Sequence, residues 1–267
     1  MSRIAAQEVR DAIYGWPLYI VAAVALLADV LLMVNSLHFV AESGLQILGR
    51  PFYLPLLVTT TLTMLYITAW AVLAIVRPRD QGALRILFFA PVDSVSLIGG
   101  HFLAGLILYG LVMLVTTPAL ALLAWLTNVP FSPLLLLGIV LSPVFIAVAL
   151  ALGLFVSAVS PSSRSAMFFF IGALLLLTGV QGGYTALLSI PPVSKSYDAL
   201  LFLRELLRSV RNLLNWISPV ALLESGLDAV MRASWQDIAQ WLATALIGCA
   251  AWLILAVWGL NRRGLLP

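Results

Sequence analysis

The sequence RPRDQGALRILFFAPVDSVSLIGGHFLAG fills residues 77–105 and separates two long apolar runs. Its first half is the most charged part of this region, with Arg77, Arg79, Asp80 and Arg85. The helix-forming residues 83–87, followed by Pro91, predict a short helix with one apolar face. Because apolar runs flank it on both sides, the stretch is predicted to be a short polar loop between two membrane spans.

The composition shows why the flanking runs must be membrane spans. The chain has 267 residues, of which 63% are hydrophobic and 9% charged, and its mean hydropathy is +1.09. A soluble domain carries about 25% charged residues, so this chain is predicted to be an integral membrane protein. The net charge of +3 does not indicate nucleic-acid binding. The single cysteine, Cys249, permits neither an intrachain disulfide nor a cysteine metal cluster.

Hydropathy and length predict an all-α protein with a single transmembrane domain over residues 1–267 and six spans. The predicted spans are about 16–37, 54–76, 99–126, 134–158, 165–190 and 236–260. Residues 1–15 carry apolar side chains on one helical face, which predicts an amphipathic helix at the membrane surface. The alternative is an ordinary cytoplasmic tail.

The distribution of arginine predicts the orientation of the chain. With the N-terminus in the cytoplasm, the inner side holds most arginines near span ends, and the short outer loops hold only Arg50. Both termini, the segment 77–98 and the loop 159–164 are therefore predicted to be cytoplasmic, in a multi-pass protein of the cell membrane. The segment 191–235 is predicted to be extracytoplasmic.

The outer segment 191–235 predicts a pair of helices. Apolar residues from Leu200 to Ile217 recur at steps of three and four, opposite arginines and asparagines, which is typical of an amphipathic helix. Ser218-Pro219 then reads as the N-cap and first position of a second short helix. A pair of this length either lies on the membrane or re-enters it.

Asp29 is the only ionisable residue well inside a predicted span. A buried charge in lipid is costly and usually faces a cavity or a partner. Asp29 is therefore a candidate for the translocation path. The alternative is a structural role, in which Asp29 is protonated or bonded to a neighbouring span. The threonines of span two offer such bonding groups, or else line a polar path.

Sequence motifs for catalysis are absent. The only lysine, Lys195, follows Pro-Pro-Val-Ser rather than a glycine-rich loop, so the chain has no P-loop. The histidines His38 and His101 do not have metal-ligand spacing. We therefore expect no enzyme activity and no cofactor or metal site in this chain.

The central stretch resembles the membrane subunits of ATP-binding-cassette (ABC) transporters of the type 2 exporter class. In that family the link between spans two and three commonly has an acidic residue, a Gly, a small-Leu pair, a Leu-Leu, a Pro-Val and a Gly-Lys. The matching positions here are Asp80, Gly82, Ala83-Leu84, Leu87, Pro91-Val92 and Gly100-His101. The chain departs from the pattern at Arg85, often a Glu, and at His101. Outside this stretch, Glu8-x-Arg10, Gly153-Leu-Phe-Val-Ser157 and Ser218-Pro219 also resemble family features.

This resemblance implies that 77–98 contains a coupling helix seated in a cleft of a separate ATPase. The residues it assigns to coupling are Arg79, Asp80, Gly82, Leu84, Arg85, Leu87, Pro91 and Val92. It further implies two cytoplasmic ATPase subunits that hold ATP and Mg²⁺, and a second permease copy, as a homodimer in preference to a heterodimer. Membrane lipid is the other expected partner, and export is the expected direction.

Other interpretations remain open at this point. The polar stretch could simply rest on the inner leaflet. The chain could be a membrane scaffold or assembly protein without transport, or a secondary transporter. Secondary transporters usually show several intramembrane ionisable residues and internal repeats, whereas this sequence shows one such residue and no evident repeat.

Overall fold

A computed structural model of the chain describes residues 1–43, 52–80, 93–188, 202, 205–210, 214 and 218–264. Within these ranges the backbone is helical apart from short connections, and no strand occurs in them. The predicted all-α class is therefore confirmed for this part of the chain. The helices are α1 (Ser2–Tyr14), α2 (Trp16–Ser43), α3 (Tyr53–Ala74), α4 (Val76–Asp80), α5 (Ser94–Thr127), α6 (Pro133–Val159), α7 (Ser163–Leu188), α8 (Pro219–Met231) and α9 (Trp235–Gly264).

Six helical segments in the described part of the chain are long and apolar enough to cross a membrane, which confirms the predicted number of spans. They are Trp16–His38, Tyr53–Asp80, Ser94–Thr127, Pro133–Val159, Ser163–Val180 and Trp235–Arg262. The third begins ahead of residue 99, where the sequence predicted span three to start. The reason is local, since Asp93 is extended (φ −71°, ψ 143°) and the helix starts directly after it.

Span four, α6, lies at the centre of the bundle. Its buried side chains belong to one core that also contains residues of α3, α5, α8 and α9. Small residues let neighbouring helices approach closely. At Gly153 an added Cβ would lie 2.9 Å from the Thr68 carbonyl oxygen of α3, so only glycine fits there. On another face, the Tyr109 hydroxyl of α5 lies 2.5 Å from Ser142 Oγ of α6.

Both ends of the described chain lie at the same end of the bundle. The N-terminal helix α1 contacts the start of α5, where an added Cβ on Gly100 would lie 2.9 Å from Ile4 Cβ. The last turns of α9 contact the end of α6, where an added Cβ on Gly259 would lie 2.8 Å from Val159 Cγ2. We call this end, with the turn 75–80 and the loop 160–162, the junction end, and the other end the far end.

The helix α8 packs deep against span four. Ser218 is its N-cap, as predicted, and its hydroxyl accepts a bond from the Ala221 amide at 3.4 Å. The ring of Phe145 lies directly over Gly226, so that a side chain at this position would collide with it. Phe145 is the thirteenth residue of α6, about 18 Å along the helix from Pro133. The middle of α8 therefore lies at the level of the middle of span four. Residues 205–210 of the predicted partner helix are helical, while most of 189–217 lies outside the described residues.

Candidate functional site at the junction end

The corner between α3 and α4 is fixed to the end of span four by one hydroxyl group. The chain turns at Ile75, between the end of α3 and the start of α4. The backbone amides of Ile75 and Val76 donate to Ser157 Oγ at 3.1 and 3.2 Å. All three residues are buried. Buried amides at a helix junction need acceptors, and Ser157 supplies one for both.

The next turn, which opens the predicted coupling segment, is bonded to the loop between spans four and five. Arg79 Nη1 donates to the Ser160 carbonyl oxygen at 3.2 Å. Asp80 Oδ2 accepts two bonds from Ser163, one from its backbone amide at 2.7 Å and one from its hydroxyl at 2.6 Å. Ser163 is the first residue of α7. A carboxylate at a helix N-terminus satisfies unpaired amides and interacts favourably with the helix dipole, so Asp80 caps span five from another part of the chain.

Apolar packing completes this contact. Val72, Val76 and Ala166 are buried together, and the partly buried Met167 and Phe170 lie against them. These residues come from α3, α4 and the first two turns of α7. The cytoplasm-facing end predicted for span two is therefore bound to the start of span five by both polar and apolar contacts.

Of the residues assigned to coupling, the structure describes Arg79 and Asp80, which bond to Ser160 and Ser163 respectively. The others lie outside the described residues, namely Gly82, Leu84, Arg85, Leu87, Pro91 and Val92. Ser160 and Ser163 were not identified from the sequence. The sequence feature that could have identified them is the run SPSSRS at 160–165, in which residues that favour helix N-caps follow an apolar span. Within the described residues, no group of three or more His, Cys, Asp and Glu side chains could hold a metal ion.

His101, where the chain departs from the family's Gly-Lys, is buried and faces the N-terminal helix. Its Nδ1 donates to the Leu97 carbonyl oxygen at 2.9 Å. Its Nε2 lies 3.4 Å from Glu8 Oε1 of α1. The contact places a basic side chain opposite an acidic one. The contact joins α1 to the first turns of span three, close to residues 77–98.

Asp29 lies between spans one and two. It is 0% exposed, and its Oδ1 accepts a bond from Thr59 Oγ1 of α3 at 2.7 Å. Its Oδ2 has no hydrogen-bond partner among the described residues. Thr60, Thr63 and Thr68 instead donate to carbonyl groups of their own helix. The bond to Thr59 agrees with the alternative that Asp29 is bonded to a neighbouring span for structural reasons. A role of Asp29 in a translocation path stays a prediction.

Comparison with known proteins points to one family. No curated protein matches the sequence significantly. The family model described as "ABC-2 family transporter protein" matches residues 3–265, which is nearly the whole chain. The match agrees with the six apolar helices and with the resemblance of residues 77–105. The chain is therefore a multi-pass membrane protein that belongs to the ABC-2 family of transporter permeases.

Proposed function

We propose that this permease is energised by two cytoplasmic ABC ATPase subunits that bind at the junction end and exports its substrate. The observation that carries the proposal is the bonding of the turn 75–80 to both Ser157 and Ser163. A coupling element must pass movement to several spans at once. A force on residues 77–98 would act on span two directly, and on spans four and five through these contacts.

The charges at the junction end support its assignment to the cytoplasm. Arginines concentrate on the cytoplasmic side of membrane proteins. Both termini, the turn 75–80 and the loop 160–162 lie at this end, so one assignment places all of them inside. The arginines in these parts of the chain and in the first turn of α7 are Arg3, Arg10, Arg77, Arg79, Arg164, Arg262 and Arg263.

The exposed helix faces support a dimer with a path between its two copies. On α7, Ala166 is the only buried residue among those whose side chains are described. An added Cβ on Gly172 or Gly179 of this helix would meet nothing within 4 Å. Small residues on an open apolar face favour close helix–helix contact in a membrane. We propose that α7 and α2 face the second copy, in a homodimer, and that Asp29 on α2 lies near the path.

The position of α8 supports a role at the outer end of the path. Its contact with Phe145 in the middle of span four supports re-entry of the outer helical pair into the membrane rather than a position on its surface. A re-entrant pair would close the path on the outer side until ATP binding moves the spans. Residues 1–267 act as one transmembrane domain in this proposal, and ATP and Mg²⁺ bind only in the partner subunits.

Co-purification tests the proposal. The permease is expressed with any P-loop ATPase that a neighbouring gene encodes, purified through a tag on the permease and reconstituted in lipid. We expect the ATPase to co-purify and to show vanadate-sensitive ATP hydrolysis. A permease that purifies intact without an ATPase would instead support the scaffold interpretation. ATP-independent uptake driven by an ion gradient would support the secondary transporter.

A further inference from the structure

Span five is attached to the rest of the described chain mainly through its first two turns. The contacts at its start are the bonds from Ser163 to Asp80 and the packing of Ala166, Met167 and Phe170 on α3 and α4. Beyond Phe170 the helix exposes large apolar side chains, among them Leu175 at 66%. The base of α7 is therefore anchored, whereas beyond Phe170 none of the side chains that the structure describes on this helix is buried.

The anchoring carboxylate lies on the segment that is proposed to meet the ATPase. Asp80 is the last residue of α4, and residues 81–92 follow it directly. Asp93 begins the helix on the other side of the same segment, but its side chain makes no capping bond to α5. Asp80 and Asp93 thus flank the same segment and carry the same type of side chain. Only Asp80 caps the first turn of a span with its carboxylate.

We infer that Asp80 is a positioning residue that makes span five follow the coupling segment, by capping the first turn of α7 from the end of α4. This inference rests on the proposed function and adds to it a route from the ATPase-binding segment to span five. In this account Asp80 acts within the permease, whereas the family resemblance implies a coupling role for it in the segment that meets the ATPase.

Because α7 is long, a small tilt at its first turn would move its other end by several ångströms. The helix has 26 residues, which corresponds to a length of about 39 Å. A tilt of about 5° at the capped end would move the other end by about 3 Å in a rigid helix of that length. A small displacement of α4 would therefore be enough to change the contacts of α7 near the far end.

Hydrogen exchange measured by mass spectrometry on the permease–ATPase complex in lipid nanodiscs tests the inference. Exchange is compared between the nucleotide-free and the vanadate-trapped complex, in peptides that cover residues 77–98 and 163–170. In the wild type we expect trapping to change exchange in both peptides. In Asp80→Ala we expect the change in 77–98 to persist and the change in 163–170 to be lost. Asp80→Asn, which retains one acceptor oxygen, should keep part of it, and Asp93→Ala should behave like the wild type.

The outcomes separate this inference from the proposed function. Failure of the wild-type ATPase to co-purify, or no change in 77–98 on trapping, would overturn the proposed function. An unaltered response of 163–170 in Asp80→Ala would overturn the positioning role and leave docking intact. Loss of the ATPase from Asp80→Ala, with the melting temperature unchanged, would show that Asp80 docks the ATPase directly and would also overturn it.

Discussion

Replacing Ser157 by alanine should destabilise the permease more than other hydroxyl deletions. Ser157 Oγ is the acceptor for the amides of Ile75 and Val76, and all three residues are at most 1% exposed. An alanine at 157 provides no acceptor, and neither water nor lipid can substitute at a buried site. The turn at Ile75 would then lose both of its bonds to Ser157 of span four.

The size of the effect follows from the number of amides left unpaired. An unsatisfied buried donor costs about 1–3 kcal/mol. Because small shifts of the turn at Ile75 would restore part of the bonding within the helix, we expect a loss of about 2–4 kcal/mol in the free energy of unfolding. For a chain of this size that loss lowers the melting temperature by about 5–15 °C.

Cys249 provides a built-in reporter for this measurement. It is the only cysteine of the chain and is 8% exposed, so a thiol-reactive dye should label it only as the protein unfolds. The control is Thr244→Ala, which deletes a hydroxyl that makes only an exposed bond to the Gln240 carbonyl oxygen of its own helix. A surface change of this kind should shift melting by about 2 °C or less. Equal melting of the two variants would refute the role assigned to Ser157.

Two further contacts between spans can be tested by substitution. Thr59→Val removes the hydroxyl that donates to Asp29 and should lower stability by about 1–3 kcal/mol, whereas Asp29→Asn should melt near the wild type but alter transport if Asp29 borders the path. Gly153→Ala should lower stability by about 1–3 kcal/mol, because the added Cβ would lie 2.9 Å from the Thr68 carbonyl oxygen. Gly110→Ala is its control, since a Cβ there meets nothing within 4 Å and alanine favours the helix. The dye assay on Cys249 measures all four variants, and indistinguishable melting of the two glycine variants would contradict the packing described for α3 and α6.

The spans were predictable because hydropathy acts over some twenty residues at a time. An apolar run as long as Pro133–Val159 is long enough to cross a membrane as a helix. The existence of this span and its approximate bounds therefore follow from composition and length. The start of α5 was less predictable, because Ser94 to Ile98 extend the helix ahead of the apolar run and the boundary depends on the backbone of Asp93. Ser218-Pro219 was predictable, since N-capping is a local property of the sequence.

The junction was not predictable, because it joins residues that are far apart in the sequence. Asp80 and Ser163 are separated by 83 positions, and no local pattern indicates which of several polar groups will meet. Asp29 shows the same limit. Because a charged side chain within a membrane span is energetically costly, the sequence predicted that Asp29 faces a partner or a cavity. Only the three-dimensional arrangement shows that Thr59 is the partner.

The most direct test of the account is photocrosslinking from the coupling segment to the ATPase. A photoreactive phenylalanine derivative replaces Leu84 in one variant and Trp125, which is 77% exposed near the far end, in another. Each permease is irradiated in membranes with its ATPase present, and the adducts are separated by mass. We predict an ATPase adduct from position 84 and none from position 125. An adduct from position 125 and not from position 84, or no adduct from position 84 in a complex that co-purifies, would contradict the claim that energy enters the permease through residues 77–98.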